Sequence, residues 1–218
     1  MIARIQPSKI TGTIVAPASK SSMQRACALA FLSPGETILV NPGKSNDDIA
    51  ALGIIEKLGA KILHKSPGHI SILSMYAPSS ERLRSIDCGE SGLSIRMFAP
   101  IAALSTHEII INGTGSLLKR PMHFFDEIFP QLGISIQTNN GYLPIKIKGP
   151  LQPTDITIDG SQSSQFLTGL LMAFAKAAIK PVTITVQNLT SKPYIDLTLQ
   201  MMNFFGYNIE NKEYGKFI

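Results

Sequence analysis

Several residue types that mark common protein classes are scarce in this chain of 218 residues. It contains no tryptophan, and its two cysteines, Cys27 and Cys88, lie far apart without a spacing typical of metal ligands. This pattern argues against a disulfide framework and favours a reducing, cytoplasmic location. The four histidines also lack a metal-ligand spacing. The sequence therefore predicts no metal site.

Charged residues and long apolar runs are scarce in the chain as well. Charged residues make up only 16% of the chain, and lysine and arginine form no run of five. Together with the absence of tryptophan, this argues against a nucleic-acid-binding protein. The longest apolar candidate for a membrane span, residues 166–178, contains Thr168 and Lys176 and is better interpreted as a buried helix. The N-terminus has no apolar signal core, so no membrane partner is expected.

The chain does have a large apolar fraction and a mild positive net charge. Hydrophobic residues make up 44% of it, which is ample for a packed core and excludes a disordered, highly charged chain. The net charge is +5 and the isoelectric point is near 9.2. Such an excess suits an anionic partner, but it does not distinguish a metabolite from a nucleic acid or a membrane surface.

Three kinds of landmark recur along the chain with nearly one period. They are the glycines that end a helix with one polar face (Gly59, Gly133 and Gly206), the starts of apolar helices (near residues 21, 92 and 164) and the asparagines that follow a strand (Asn41, Asn112 and Asn188). Successive members of each set lie 71–76 residues apart. One period shared by three landmarks indicates an internal repeat.

Each repeat is predicted to run strand, apolar helix, strand, amphipathic helix, strand, strand. The apolar helices are predicted at residues 21–32, 92–104 and 164–178, and the amphipathic helices at 47–59, 121–132 and 194–205. The strands are predicted at 12–16, 36–41, 60–63, 70–73, 107–112, 134–136, 145–147, 182–188 and 206–209. Because the first helix of each unit is apolar nearly all round, we expect three buried helices surrounded by sheets, an α/β (α+β) fold.

Three equivalent helices that enter a core from one side bring their N-termini to one face. Each N-terminus carries partial positive charge and free backbone N–H groups, so this face is predicted to bind an anion. Polar residues gather at these ends, in Lys20-Ser21-Ser22, Glu90-Ser91-Gly92 and Ser161-Gln162-Ser163-Ser164-Gln165. A serine before a helix is also an ordinary N-cap, and this simpler interpretation applies to each one taken alone.

Other cations and hydroxyls lie close to these helix starts. Arg25 shares a helix face with Ser21 and is unusual in an apolar helix, which favours a ligand-binding role. Arg120 precedes a helix and could hold a carboxylate or phosphate with two parallel bonds, although an exposed loop residue is equally consistent with its position. Ser191 and Tyr194 occupy the equivalent loop of the third unit. No pair of acidic residues suited to acid–base chemistry is evident.

These segments resemble the ordered motifs of the 3-phosphoshikimate 1-carboxyvinyltransferase, or EPSP synthase, family. The matching segments are residues 17–21 with Arg25, residues 89–92 with Arg96, residues 119–121, residues 160–167 and residues 191–196. The resemblance implies transfer of the enolpyruvyl group of phosphoenolpyruvate to the 5-hydroxyl of shikimate 3-phosphate, with release of phosphate, in aromatic amino-acid synthesis. It implies no metal or organic cofactor, small-molecule substrates alone, and a monomer at full length.

The resemblance also implies a fold and residue roles. The lobe is expected to be an inside-out α/β barrel of three βαβαββ repeats, at about residues 12–75, 84–148 and 154–218. Shikimate 3-phosphate is expected to contact Lys20, Ser21, Arg25, Ser163, Ser164, Gln165, Ser191 and Tyr194. Phosphoenolpyruvate is expected to contact Lys20, Gly92, Arg120 and Gln165. Lys20 is the expected catalytic residue, and Arg96 is expected to give structural support.

The chain departs from the family pattern in two respects. Ala18, Glu90 and Leu93 stand where the family usually has glycine, asparagine and threonine, and Glu90 must point away from phosphoenolpyruvate or alter its affinity. The family chain is also about twice as long, with acid–base residues on a second lobe that is absent here. Residues 1–11 are expected to form a strand belonging to that second lobe, and residues 12–218 the first lobe, inactive alone.

Two other functions remain open. The related enolpyruvyl transferase of cell-wall synthesis acts on UDP-N-acetylglucosamine but uses a loop cysteine, and neither Cys27 nor Cys88 is so placed. A non-enzymatic anion-binding module is supported only by the basic isoelectric point.

Overall fold

Helices and strands alternate as three successive units in the computed structural model, which describes residues 3–4, 6–66, 68–76 and 85–218 apart from the side chain of Lys65. The helices are α1 (Lys20–Leu32), α2 (Asn46–Leu58), α3 (Gly92–Ala102), α4 (His123–Ile128), α5 (Ser164–Ala177) and α6 (Lys192–Phe204). The strands are β1 (Gly35–Val40), β2 (Lys61–Ser66), β3 (His69–Ser74), β4 (Ser85–Asp87), β5 (Glu108–Asn112), β6 (Ser135–Asn139), β7 (Tyr142–Lys148), β8 (Ile156–Asp159), β9 (Ile184–Gln187), β10 (Asn211–Lys212) and β11 (Lys216–Phe217).

The first helix of each unit begins after a serine N-cap. These caps are Ser19, Ser91 and Ser163, which lie 72 residues apart. Each side chain accepts a hydrogen bond from a backbone N–H of the first turn, so each satisfies one donor that the helix leaves unpaired. The regular spacing confirms the predicted repeat at the level of single residues.

The same three helices form the interior. Nearly every residue of α3 is buried, and α1 and α5 are buried over most of their length. Helix α3 packs along α5, and α1 contacts α2, α3 and α6. Burial on all sides explains why these helices are apolar nearly all round.

Three sheets surround these helices. Among the described residues the strand orders are β1-β3-β2, β4-β5-β7-β6 and β10-β11-β9-β8. In the second and third sheets the first strand pairs in parallel with the next, β4 with β5 and β8 with β9, and the other pairs are antiparallel. Residues of β7 alternate between exposed and buried, as expected of a sheet with one face on the core and one in water. The predicted fold class, with helices inside and sheets outside, is confirmed.

The first predicted strand does not form. Residues 12–16 are exposed and pair with no strand among the described residues, so their alternating pattern has no sheet face to bury. Residues 3–4 and 6–11 also form no strand, and Met1, Ile2 and Ile5 lie outside the described residues. The same holds for Pro67, in the turn predicted between β2 and β3.

Two further elements differ from prediction. The helix predicted at residues 121–132 is divided into α4 and a short 3-10 turn, Pro130–Leu132. Pro130 has no N–H to donate to the preceding turn, so α-helical hydrogen bonding stops before it. The strand predicted at residues 206–209 is replaced by irregular backbone, and the hairpin of β10 and β11 follows it.

We expect Ile55→Ala to lower the free energy of unfolding by about 2–5 kcal/mol, because it opens a cavity in the core. Ile49→Ala on the same helix is the matched control and should change it by less than about 0.5 kcal/mol. Ile55 is fully buried, whereas Ile49 is 61% exposed. Urea unfolding followed by circular dichroism measures both. Equal effects would contradict the orientation of α2.

Candidate functional site

The N-terminal ends of α1, α3 and α5 carry no acidic residue in their first turns. Helix α2 differs, since Asp47 and Asp48 lie in its first turn and Asp48 completes a capping box with Ser45. An acidic residue in the first turn compensates the positive end of the helix dipole, and the three buried helices lack this compensation. Their ends are therefore suited to an anion.

These three ends meet at one pocket of about 390 Å³. All ten residues predicted to bind substrates line it: Lys20, Ser21, Arg25, Gly92, Arg120, Ser163, Ser164, Gln165, Ser191 and Tyr194. Four further residues also line it: Gln24, Asp47, Glu90 and Leu93. The pocket combines hydroxyls, amides and cations, which are the groups that bind phosphate and carboxylate oxygens.

Lys20 stands at the first position of α1, where a cation is electrostatically unfavourable. Its Nζ lies 2.7 Å from a carboxylate oxygen of Asp47. Asp47 was predicted only to begin the second helix, and it lies in the first turn of α2, which begins one residue earlier. Its pairing with Lys20 depends on the packing of α2 against α1. The side chain of Lys20 remains about half exposed at the pocket.

Arg25 is almost completely buried beneath the pocket. Its guanidinium donates to Thr198 Oγ1 at 2.8 Å, to the Ser21 carbonyl at 2.8 Å and to the Tyr194 carbonyl at 3.3 Å. Burial lowers the pKa of Arg25 from 12.5 to about 10, so the side chain stays charged at neutral pH. Arg25 thus joins the starts of α1 and α6 and places a positive charge under the site.

Thr168 and Thr198 extend this buried contact to α5. Their hydroxyl oxygens lie 3.0 Å apart, and Thr168 also donates to the carbonyl of Ser164. Both threonines are fully buried. The sequence analysis did not predict the contact between these two threonines. Its only indication in the sequence is one polar residue on the apolar face of each helix, Thr168 on α5 and Thr198 on α6.

Gln24 was also missed. Its Oε1 accepts hydrogen bonds from the hydroxyls of Ser91 and Ser94, both at 2.9 Å, and so fixes the start of α3 against α1. Its Nε2 is buried without a hydrogen-bond partner among the described residues. Gln24 lies four residues after Lys20 in an apolar helix, a pattern that could have marked it as a pocket residue.

Gly92 allows two guanidinium groups to approach the start of α3. A Cβ built on Gly92 would overlap Arg120 Nη1 and lie 3.1 Å from Arg96 Nη1. Arg96 Nη1 donates to Gln165 Oε1 at 2.9 Å, and its guanidinium carbon lies 5.0 Å from the Phe166 ring centre. The pKa of Arg96 is lowered, first by burial and then by the charge of Arg120. Two neighbouring cations favour an anion between them.

Glu90 lines the same pocket, and the following loop holds its carboxylate. Its Oε2 accepts a hydrogen bond from the Ser116 N–H at 2.8 Å, and its carboxyl group lies against Gly115. That hydrogen bond lowers the pKa of Glu90, with a smaller contribution from Arg120. The carboxylate is therefore held by the loop that leads to Arg120.

Ser191 stands at the start of α6 in the left-handed region, with φ = 56°. This backbone conformation is uncommon for a residue with a side chain and often marks a functional site. Its hydroxyl makes no capping bond to α6. Tyr194, one turn later, is half exposed and also lines the pocket.

Other residues of the predicted motifs lie outside the pocket lining. They include Lys119, Ser161 and Lys192, whose Nζ lies 4.9 Å from the Tyr214 ring centre. Cys27 and Cys88 are buried, and burial raises the pKa of Cys27 to about 12 and raises that of Cys88 as well. Neither thiol has the exposure or the lowered pKa of a nucleophile.

Within the described residues, no group of three or more histidine, cysteine or acidic side chains is arranged to hold a metal ion. In the same part of the chain, no helix has the length and apolar character needed to span a bilayer.

The sequence profile of EPSP synthase (3-phosphoshikimate 1-carboxyvinyltransferase) matches residues 5–218. This chain belongs to the EPSP synthase family. It is 35% identical over 221 residues to the 3-phosphoshikimate 1-carboxyvinyltransferase of Clostridium beijerinckii, and the match covers 99% of this chain and 51% of that protein. It is also 35% identical over 213 residues to the enzyme of that name from Methanocorpusculum labreanum, covering 97% and 50%.

Solved structures agree with this assignment. EPSP synthase from Acinetobacter baumannii superimposes with a TM-score of 0.79 at 25% identity, covering 94% of this chain and 46% of that one. The enolpyruvyl transferase NikO from Streptomyces tendae superimposes with a TM-score of 0.64 at 15% identity, which shows a shared fold. The chain thus spans about half the length of the EPSP synthases that it matches.

We expect Gly92→Ala to weaken the binding of inorganic phosphate at the pocket, because the added methyl group displaces the Arg120 guanidinium. The loss should be roughly tenfold, the worth of one charge-assisted hydrogen bond. Gly53→Ala is the control, since a Cβ there meets nothing within 4 Å. Phosphate titration followed by nuclear magnetic resonance measures both variants. Unchanged affinity in Gly92→Ala would contradict a role for Arg120 in anion binding.

We expect neither cysteine to react with a thiol reagent in the folded protein at pH 8. The raised pKa values leave almost no thiolate, and both side chains are buried. Titration with Ellman's reagent should detect two thiols only after the chain is unfolded in guanidinium chloride. Rapid labelling of one thiol in the native protein would reopen a nucleophilic role.

Proposed function

We propose that this chain forms the shikimate 3-phosphate side of an EPSP synthase active site. In the assembled enzyme, the enolpyruvyl group of phosphoenolpyruvate is transferred to the 5-hydroxyl of shikimate 3-phosphate, and phosphate is released. The observation that carries the proposal is the convergence of all ten expected substrate residues on one pocket at three uncompensated helix ends. The reaction belongs to aromatic amino-acid synthesis, and a cytoplasmic location is part of the proposal.

The shikimate phosphate is proposed to bind between the third unit and α1. Ser163, Ser164 and Ser191 offer hydroxyl and backbone donors at the starts of α5 and α6, where the helix dipoles favour an anion. Lys20 and Ser21 approach from α1, and buried Arg25 adds a positive charge beneath. A phosphate dianion would accept hydrogen bonds from these donors and pair with these cations. Among the residues that line the pocket, Asp47 and Glu90 are the acidic ones.

Phosphoenolpyruvate is proposed to bind at the start of α3. Arg120 lies directly over Gly92, so a carboxylate or phosphate there meets both the guanidinium and the helix N-terminus. Gln165, held by Arg96, and Lys20 reach the same region and are proposed to contact both substrates. The Ser116 N–H holds the carboxylate of Glu90 at this part of the pocket, and we propose that the substrate anion binds beside it.

Proton transfer is proposed to depend on residues outside this chain. The pocket's two acidic side chains are both engaged, Asp47 with Lys20 and Glu90 with Ser116. Each contact engages one carboxylate oxygen, and the hydrogen bond from Ser116 lowers the pKa of Glu90, which makes it a weaker general base. The chain spans about half the length of its relatives, so we expect it to bind shikimate 3-phosphate weakly and not to catalyse transfer.

The alternatives have less support. A UDP-N-acetylglucosamine enolpyruvyl transferase that used a cysteine would need an accessible thiol, and both thiols are buried. A nucleic-acid-binding module would need an extended basic surface, whereas the cations discussed above converge on a small pocket that also holds two carboxylates.

Isothermal titration calorimetry tests the proposal. Shikimate 3-phosphate should bind with a Kd on the order of 0.1–1 mM, and shikimate without its phosphate should give no measurable heat. With phosphoenolpyruvate present, no phosphate should be released. Absence of binding, full turnover, or salt-sensitive binding to an unrelated oligonucleotide in place of shikimate 3-phosphate would each overturn it.

A matched pair of serine variants places the ligand. Ser191→Ala should weaken shikimate 3-phosphate roughly fivefold to tenfold, because it removes one hydroxyl donor. Ser161→Ala is the control, since the Ser161 hydroxyl bonds to Asp159 and lies outside the pocket lining. Equal losses in both variants would argue against binding at the start of α6.

A further inference from the structure

Tyr214 has a backbone conformation that is rare for tyrosine. It lies in the turn between β10 and β11, where the Gly215 N–H donates to the Lys212 carbonyl at 3.0 Å. The two residues between them, Glu213 and Tyr214, have φ = 53° and φ = 60°. Turns of this kind favour asparagine and glycine, and an aromatic residue in the left-handed region is an outlier. Such a conformation persists where other contacts hold the residue in place.

The side chain of Tyr214 contacts the beginning of α6. Its hydroxyl donates to Asp196 Oδ1 at 2.7 Å, and Lys192 Nζ lies 4.9 Å from the centre of its ring. The hydrogen bond to Asp196 raises the pKa of Tyr214, so the hydroxyl stays protonated at neutral pH. Because Lys192 and Asp196 are four residues apart, they share one face of the helix. A single tyrosine therefore spans the first turn of α6.

The turn that carries Tyr214 is fixed to the third sheet. Strand β11 pairs with β9, and the Val186 N–H on β9 donates to the Gly215 carbonyl at 2.9 Å. The Tyr214 N–H donates to the side chain of Asn211 at 2.9 Å, within the same hairpin. Tyr214 therefore connects α6 to a sheet whose strands are joined by backbone hydrogen bonds.

The buried contacts of this helix start lie on its other face. Tyr194 and Thr198 are each two residues beyond Lys192 and Asp196, which places them about 200° around the helix axis. The Tyr194 carbonyl accepts hydrogen bonds from Arg25 at 3.3 Å and from Thr198 at 2.8 Å. Contacts from two sides thus hold the first turn of α6, from the interior of the lobe and from Tyr214.

The residues between these contacts line the pocket. Ser191 and Tyr194 are lining residues, whereas Tyr214 lies outside the lining. Ser191 also has a left-handed conformation, and its side chain makes no capping bond to α6 in the described part of the chain. The position of its hydroxyl therefore depends on how firmly the first turn of α6 is held.

We propose that Tyr214 is a positioning residue for the pocket, because its contacts with Asp196 and Lys192 hold the start of α6 and so orient Ser191 and Tyr194. It acts through these residues and touches no substrate. The identity of the ligand rests on the proposed function, whereas the restraint on α6 is a property of the chain itself. A strained residue that serves a binding site contributes to affinity more than to stability, and substitution separates the two.

Amide hydrogen exchange followed by nuclear magnetic resonance tests the restraint without any ligand. Tyr214→Asn removes both contacts to α6 and supplies a residue that tolerates a positive φ. The Tyr194 N–H, bonded to the Ser191 carbonyl at 3.0 Å, should then exchange roughly tenfold faster, because the first turn opens more often. Tyr214→Phe keeps the ring beside Lys192 and should restore part of the protection. Amides of α3 should exchange at the parent rate in both variants.

Glu213→Asn is the matched control. Glu213 has the other positive φ of the turn and is exposed, so this variant relieves the same kind of strain and keeps Tyr214 in place. Exchange at Tyr194 should remain at the parent rate. Unchanged exchange in Tyr214→Asn would overturn the proposal. Equal acceleration in α3 would also overturn it, because Tyr214 would then stabilise only the lobe as a whole.

Calorimetry with shikimate 3-phosphate connects the restraint to the pocket. Tyr214→Asn should weaken binding roughly fivefold, and Glu213→Asn should bind like the parent chain. Equal affinity of the parent chain and Tyr214→Asn would overturn the positioning role and leave the proposed function standing. A parent chain that does not bind shikimate 3-phosphate would overturn the proposed function, and the exchange measurement would still decide whether Tyr214 holds α6.

Discussion

Three helix N-termini that lack acidic compensation are held together at one pocket, and the structure depends on the contacts that keep them there. Their partial positive charges repel one another weakly, and Arg25, Arg96 and Arg120 add full charges nearby. Burial of three apolar helices against each other supplies the stabilising free energy for this arrangement. An anion in this pocket would meet donors that are already oriented, so its binding would need little reorganisation.

Buried polar contacts determine how the helices meet. Gln24 accepts two serine hydroxyls at the start of α3, and Arg25 bonds to Thr198 and to backbone carbonyls at the starts of α1 and α6. Removal of either side chain would leave its partners unpaired in the interior, which costs more free energy than an ordinary surface hydrogen bond contributes. The same contacts that stabilise the lobe therefore also position Lys20, Ser21 and Gly92.

Departures from the repeat are as informative as the repeat itself. The second and third units each close the turn before their buried helix with an aspartate, whereas the first has Val15 and Pro17 at those positions. In the described part of the chain, the first sheet has three strands and residues 12–15 are exposed. Glu90 is another departure, because this pocket residue is a carboxylate and accepts a hydrogen bond from the Ser116 N–H.

Sequence patterns alone determined the three units and the buried helices, because period and apolar pattern are local properties. The ten pocket residues were identified through the resemblance of the helix-start motifs to those of the family. The Asp47–Lys20 pair, the Gln24 contacts and the Thr168–Thr198 bridge were decided only by tertiary structure, since each joins helices far apart in sequence. Tertiary structure also decided that residues 12–16 form no strand. An alternating pattern predicts a strand, but a strand forms only where a neighbour supplies hydrogen bonds.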